Sequence, residues 1–462
     1  MRTKARKGKG RRRGEASLQC INPTAAGIDC GATAHYVAVS PDADPKPIRS
    51  FTTYTADLQR LADWLKDCGV TTVAMEATGV YWIPIYEILE ERGIEVLLVN
   101  AHHVKNVSGR KSDVADCEWL RQLHRVGLLR GSFRPTEEIV ALRGLLRHRE
   151  TLVQSCSTAI MRMQKALIQM NLQLHVVLSD IVGATGLAIL RDIVGGLTDP
   201  VRLASHRDSR CKASETEIVA ALTGHYRSEH VFALRQNLEL YDALQNLILS
   251  CDGEIERQLN ALAEITAPPP EALPTFAKRR PRKNEPHFDA RTLVHRITHV
   301  DLSRLDGIGP FAGLSLVSEI GTDMSHWPTP KHFTSWLTVA PNNRVSGGRL
   351  LGSRTRPSAN RAAVILRTCA ASLIRTQTAL GAFYRRLAPR IGKAKALTAL
   401  ARKLAILVYL TLKGTITYQD PGVSAYERNH REAAINSLRR RARSLGFQLL
   451  HDPTTAPQVG VS

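Results

Sequence analysis

Short apolar runs alternate with helically spaced leucines over the first third of the chain, and helical spacing takes over after that. Ala26 to Asp29 and Tyr36 to Val39 read as strands joined by a Gly-containing turn, with a third strand over Ile48 to Thr53. Leu58, Leu61, Trp64 and Leu65 recur at helical spacing. Thr71 to Met75 is a β-branched run that ends on Glu76. Tyr81 to Arg92 reads as a helix and Glu95 to Val99 as a buried strand. Ser112 stands where it would cap a helix running to about Val126. Strands first, then strands alternating with helices, predict a mixed α/β sheet with helices packed on it over residues 21–135.

From 136 to 266 the pattern is helical almost throughout. Leu142, Leu145, Leu146, Leu152 and Val153 lead into Ile160, Met163, Leu167, Ile168 and Leu172, with three- and four-residue steps among them. Breaks are expected at Gly183 to Gly186 and at Gly195 and Gly196, with a second long helix from about Val231 to Leu262. Such helices suit a coiled-coil arm, an inter-domain spacer or an ordinary helical subdomain. Pro268 to Pro270 and the run Lys278 to Lys283 mark a Pro-rich basic connector over 267–299. A second compact, mostly α unit is expected over 300–420. The basic segments 1–20 and 421–462 read as poorly ordered tails.

Charge narrows the class. Of 462 residues, 63 are Lys or Arg and 42 are Asp or Glu, a net charge of +21, so a polyanion is the expected partner. The hydrophobic fraction of 43% supports real cores. The eight cysteines form no Cys-x-x-Cys pair and no zinc or disulfide spacing, which fits core thiols in a reducing compartment. No apolar run reaches the length of a membrane span, and Met1 to Gly14, with eight basic residues, leads into no signal-peptide core. The expected location is the cytoplasm, in contact with the nucleoid of a bacterial cell.

Four carboxylates carry the candidate chemistry: Asp29, Glu76, Asp113 and Asp116. The first two end short strands. The other two are three apart at the start of a helix, where like charges repel unless a cation lies between them. Either aspartate alone also serves as an ordinary first-turn acid, favoured by the helix dipole. The four together make an all-oxygen set suited to Mg2+, with Mn2+ the alternative. Gly27 and Gly31 flank Asp29 and permit close approach by backbone or phosphate. Farther on, Gly307 and Gly309 frame a turn before a helix. It reads as a helix-hairpin-helix grip on a DNA phosphate or as a tight turn between packed helices. Ser346 precedes Gly347 and Gly348 in a stretch read as a flexible loop, with Arg344, Arg349, Arg354 and Arg356 around it. By residues alone this is a loop as readily as a nucleophile with guanidinium support. A basic stripe continues through Arg361, Arg367, Arg375, Arg385, Arg386, Arg390, Lys393 and Lys395.

These motifs together resemble the DEDD transposases of the insertion sequence one-ten family, which are related to the Piv site-specific invertase. The resemblance covers roughly Ala25 to Arg134 and Val300 to Tyr418. It is carried by Gly27-Ile-Asp, Met75-Glu-Ala-Thr-Gly-Val-Tyr, Asn100-Ala-His, Lys111-Ser-Asp-Val-Ala-Asp and Phe133-Arg-Pro. The second half adds Gly307-Ile-Gly-Pro, Glu319-Ile-Gly, Ala340-Pro and Ser346-Gly-Gly. The resemblance implies an RNase H-like, RuvC-type first domain whose metal ligands are Asp29, Glu76, Asp113 and Asp116. It implies Ser346 as the nucleophile of a covalent phosphoserine intermediate. It also implies assembly as dimers or tetramers and guidance by a structured bridge RNA that pairs with donor and target DNA. Lys111, Gly307, Gly309 and Arg344, Arg349, Arg354 and Arg356 are the expected nucleic-acid contacts. The resulting expectation is a DNA transposase/recombinase of a mobile element. The alternatives are a RuvC-like junction endonuclease that uses water, and a non-catalytic nucleic-acid-binding protein.

Overall fold

A computed structural model describes residues 19–77, 79–100, 113–274, 283–357 and 359–450, with the backbone alone for Asp113 and Val114. The expectations for 1–18, the segment 101–110, Lys111, the Ser112 cap, the basic run 278–282 and 451–462 fall outside the described residues. The chain divides into two compact units, residues 1–134 and 135–462.

In the first unit, β1 (Ala25–Cys30), β2 (Ala34–Ala38), β3 (Ile48–Thr52), β4 (Thr72–Glu76) and β5 (Glu95–Val99) form one sheet in the order β3-β2-β1-β4-β5. β2 runs antiparallel to β1 and β3, while β1, β4 and β5 are parallel. The register sets Gly27 beside Ala74 and Ile28 beside Met75. Successive side chains on a strand face opposite sides of the sheet. Ala26, Ile28, Cys30, Val73 and Met75 pack into the core made with α1 (Thr55–Asp67) and α2 (Ile83–Glu91). Gly27, Asp29, Ala74 and Glu76 therefore belong to the other face, against which α3 (Asp113–Arg125) lies. A mixed five-stranded sheet followed by a helical body fits an RNase H-like first unit.

The second unit opens with α4 (Glu137–Gln169). After α5 (Leu174–Val177), α6 (Ala184–Val194), α7 (Pro200–Ala204) and α8 (Glu215–Leu222), α9 (Ser228–Ile265) returns antiparallel to α4. Leu145 meets Cys251, and Cys156 meets Gln245. The long first helix stops well before Gly183, at Asn171, whose φ is +56°. Gly186 lies inside α6 rather than at a break, because only a residue without Cβ fits against the Ile181 backbone there.

A buried ion pair ties the long helices together. The Arg149 guanidinium donates to both Asp252 carboxylate oxygens and to the Asn284 carbonyl at 3.0 Å, and the His287 amide donates to Asp252 at 3.3 Å. Each residue is 2% exposed. Asp252→Ala leaves a buried guanidinium without its counter-charge, so it should cost about 3–5 kcal/mol. Urea unfolding of the full chain measures this, and a loss under about 1 kcal/mol would show that water already reaches the pair.

The rest of the unit is α10 (Ala290–Thr298), a 3-10 turn (Leu302–Arg304), α11 (Pro310–Ile320), α12 (Pro330–Trp336), a hairpin of β6 (Arg344–Ser346) and β7 (Arg349–Gly352), then α13 (Arg361–Ser372), α14 (Ala379–Ile391), α15 (Lys393–Leu412) and α16 (Gly422–Ser444). Trp327, Phe333, Trp336 and Tyr409 form an aromatic cluster, and the Tyr409 hydroxyl donates to the Trp327 carbonyl at 2.6 Å. The segment after Asp420 differs from the sequence expectation: it is a 23-residue helix with no buried side chain. Its Glu, Arg, Ala and Leu residues are good helix formers. It is held by polar and ring contacts at Tyr426 and His430, which leave no apolar stripe to read.

Candidate active site

Helical spacing sets residues 113, 116, 117, 120, 121 and 124 of α3 on one stripe. Cys117, Leu120, Arg121 and His124 of that stripe are buried. Arg121 tolerates burial because Glu118 accepts from its Nε and Nη2 at 2.9 and 2.7 Å. His124 shares a 2.8 Å hydrogen bond with the Thr72 hydroxyl. The helix backbone rides directly over Gly27, where a Cβ would press on the Cys117 carbonyl and lie 2.5 Å from the Arg121 nitrogen. Gly27→Ala should therefore push α3 off the sheet, costing about 1–3 kcal/mol of stability by the usual overpacking scale. Thermal unfolding is the check, and an unchanged melting temperature would contradict this packing.

The direction of α3 decides which residues meet. His124 lies by Thr72 at the start of β4, and the Ile21 and Asn22 amides donate to the Arg125 carbonyl at 2.9 and 3.0 Å just before β1. The C-terminal end of α3 thus sits at the beginnings of the strands. Its first turn, with Asp113 and the half-buried Asp116, runs toward the strand ends that carry Asp29 and Glu76. Negative charge in the first turn of α3 is favoured by the positive end of the helix dipole.

Two thiols register the local field. Burial pushes the Cys30 thiol far above its usual range, and the charges of Asp29 and then Glu76 add to this. Burial pushes the Cys117 thiol up to about 12, with Asp29 the next cause. The Asp29 carboxylate therefore acts on its own strand and on α3 alike. The donors at this edge are oxygens, which fits a hard divalent cation. Among the described residues, which omit the Asp113 side chain, no group of three or more His, Cys, Asp or Glu could hold a metal.

The other predicted residues lie in the second unit. Ser346 ends β6 and pairs with Arg349 across a two-residue turn, with φ of +53° at Gly347 and +76° at Gly348. Left-handed values at both turn positions are what an antiparallel hairpin needs. The expected flexible loop is thus a β-hairpin. Ser346, Arg344 and Arg349 are exposed on it, as are Val345, Leu350 and Leu351. Arg354 is also exposed. Arg356 is engaged with the backbone oxygen and hydroxyl of Ser335 at 2.8 and 3.1 Å. Arg361 pairs with Glu150, and Arg385 donates to the Thr376 carbonyl at 2.7 Å, so part of the basic stripe is structural. Gly307, with φ of +83°, faces the Cys369 carbonyl and Leu373 and serves helix packing, whereas a Cβ at Gly309 would meet open space at the start of α11.

Two family models match this chain. Residues 26–172 match a transposase model, DEDD_Tnp_IS110, and residues 301–385 match that of the Transposase IS116/IS110/IS902 family. The chain belongs to the IS110 transposase family. No curated protein matches it. The first match contains Asp29, Glu76, Asp113 and Asp116 and runs on through α4, beyond the motifs legible by eye. The second contains Ser346 and its arginines. As an IS110-family transposase the protein is a DNA cutting and rejoining enzyme of insertion elements. No described helix of this transposase is long and apolar enough to cross a membrane.

Sequence reading passed over Arg121, Glu118 and His124, the residues that seat α3. A charged residue on the sheet-facing stripe gives no apolar signal. The one available clue was Glu118 three residues before Arg121, a spacing that pairs side chains on a helix.

Proposed function

We propose that this transposase cuts and rejoins DNA through a phosphoserine intermediate, with Asp29, Glu76, Asp113 and Asp116 as ligands of Mg2+ and Ser346 as nucleophile. The observation that carries the reading is the crossing of α3 over Gly27, with its first turn toward the strand ends of Asp29 and Glu76. Family membership supports the rest.

In the first step the Ser346 oxygen bonds to phosphorus and releases its proton to solvent. The P–O bond to the departing strand breaks, and that oxygen takes up a proton. In the second step a hydroxyl of the receiving strand attacks the phosphoserine and returns the serine hydroxyl. Each phosphodiester lost is regained, so the exchange needs no nucleotide hydrolysis. Arg344 and Arg349 hold the phosphoryl oxygens as charge develops. Mg2+ bound at the carboxylates supplies Lewis acidity and charge neutralisation. Guide-RNA use and dimer or tetramer assembly are part of this reading through the family resemblance, and a nucleoid-associated cytoplasmic location through the basic, span-free sequence.

Incubating the protein with end-labelled DNA carrying an element junction, then running a denaturing gel, tests it. Protein-linked DNA should appear with Mg2+ and vanish when EDTA removes the ion. Cleavage without any linked species would favour water as the nucleophile and a junction-endonuclease reading.

A further inference from the structure

A cavity of about 610 Å³ lies between α14, α15 and α16, and Arg386 of the basic stripe is on its wall. That is within the range of about 300–1,000 Å³ typical of ligand sites. Arg386, Lys403, Phe383, Tyr418, Tyr426 and His430 are among its lining residues. The Lys403 ammonium lies 4.9 Å from the centre of the Phe383 ring and 5.8 Å from that of Tyr426. The Arg386 guanidinium lies 5.6 Å from the Tyr426 ring, donates to its hydroxyl at 2.9 Å and also donates to His430.

No Asp or Glu lines this cavity. Among the surrounding acids, Asp306 accepts from the Tyr418 hydroxyl at 2.9 Å, Asp420 accepts from the Ala379 amide at 3.0 Å, and the exposed Glu427 lines an adjoining recess rather than this cavity. Burial pushes the Lys403 ammonium down, and the charge of Arg386 adds to this. Two like charges held together without a counter-ion cost free energy that an anion would recover. The cations lie over the Phe383 and Tyr426 rings, so a planar group would share those rings with them. A smaller cavity of about 340 Å³ shares Arg386, Tyr426 and His430, so Arg386 stands between two recesses. From there α16 carries exposed Arg428, Arg431, Arg439, Arg440, Arg441 and Arg443 outward.

We propose that this cavity takes one nucleotide of a single-stranded nucleic acid, with its phosphate on Arg386 and Lys403 and its base against Phe383 and Tyr426. The strand continues along α16. A single strand is required because bases stacked in a duplex do not offer their faces to side chains. The proposal rests on the chain's being a nucleic-acid enzyme, but not on how it cuts.

The test uses the full-length protein and 12-nucleotide RNA and DNA strands bearing one 4-thio-pyrimidine. Ultraviolet crosslinks should map to the peptides of Phe383 or Tyr426. Tyr426→Leu, on a helix with no buried side chain, should abolish them and weaken binding about ten-fold. Lys403→Gln should weaken binding and lower the salt slope by about one, and Lys403→Arg should restore both. Replacing the bases by abasic sites should erase the Tyr426→Leu effect but keep that of Lys403→Gln. Tighter binding of the RNA or the DNA strand identifies the source. Unchanged affinity in both folded variants, crosslinks elsewhere, or equal competition by polyglutamate would overturn the proposal. Ser346→Ala should leave the crosslinks intact, so failure here and failure of the strand-transfer reading are separate results.

Discussion

Ser346→Ala should lose protein-linked DNA and strand joining by about ten-thousand-fold or more, the scale on which removal of a covalent nucleophile acts. DNA binding should persist. The serine ends a two-residue-turn hairpin and is exposed, so losing its hydroxyl empties no core position and breaks no ladder bond of the β6–β7 pair. The hairpin should stay folded, which circular dichroism can check. A denaturing gel for linked DNA reads the loss, and filter binding reads the retained affinity. Linked DNA persisting in the variant would remove Ser346 from the chemistry. Ser346→Cys is a useful companion: a thiol at the same place should keep binding and recover at most a trace of linkage.

Asp29→Asn and Glu76→Gln should each lower cutting by about a hundred- to thousand-fold, because in the proposed mechanism each removes a metal-binding charge that neutralises the phosphate. Both substitutions keep shape. Asp29 sits one residue from the end of β1, with Gly27 two residues before it under α3, so the amide should preserve the packing. Stability should not fall with activity. Each substitution keeps the side chain's shape and removes one negative charge, so the melting temperature should hold. A thiol titration gives an independent readout. The charge of Asp29 helps to raise the Cys30 and Cys117 thiols, after burial, so in Asp29→Asn both should ionise at lower pH than in the parent protein. If activity survives while the thiols respond, the carboxylate is present at the edge but not used.

Much of the first unit is legible in the residues. β1 and β4 are apolar runs that end on or next to acids, and β5 is an apolar run that follows Glu95. The α1 stripe Leu58, Leu61, Trp64 and Leu65 has the period of a helix lying on a sheet. What cannot be read is why Asp113 and Asp116 go where they go. That depends on a glycine on β1 meeting the backbone of α3 and on a histidine fifty-two positions from its threonine partner. Neither contact leaves a periodic trace. The Arg149–Asp252 pair is equally invisible, since its members stand 103 residues apart on helices whose polar positions all look like solvent-facing ones.

The second unit errs in two instructive places. Gly347 and Gly348 between Val345 and Leu350 are a hairpin signal, yet an exposed hairpin lacks the buried alternate face that makes strands easy to see. The helix after Asp420 carries no apolar stripe and looks like a solvated tail. It is fixed instead by Tyr426 and His430 against Arg386. In both cases local conformation is set without a core, and hydrophobic patterning detects only what a core requires.

The most direct measurement is to trap the DNA-linked protein, digest it, and locate by mass spectrometry the residue that bears the phosphodiester. The predicted result is a single linkage on Ser346 in the parent protein, reduced about a hundred-fold or more in Asp29→Asn. A linkage on another side chain, or undiminished linkage to Ser346 without the Asp29 carboxylate, would contradict a shared role for the acidic edge and the hairpin serine.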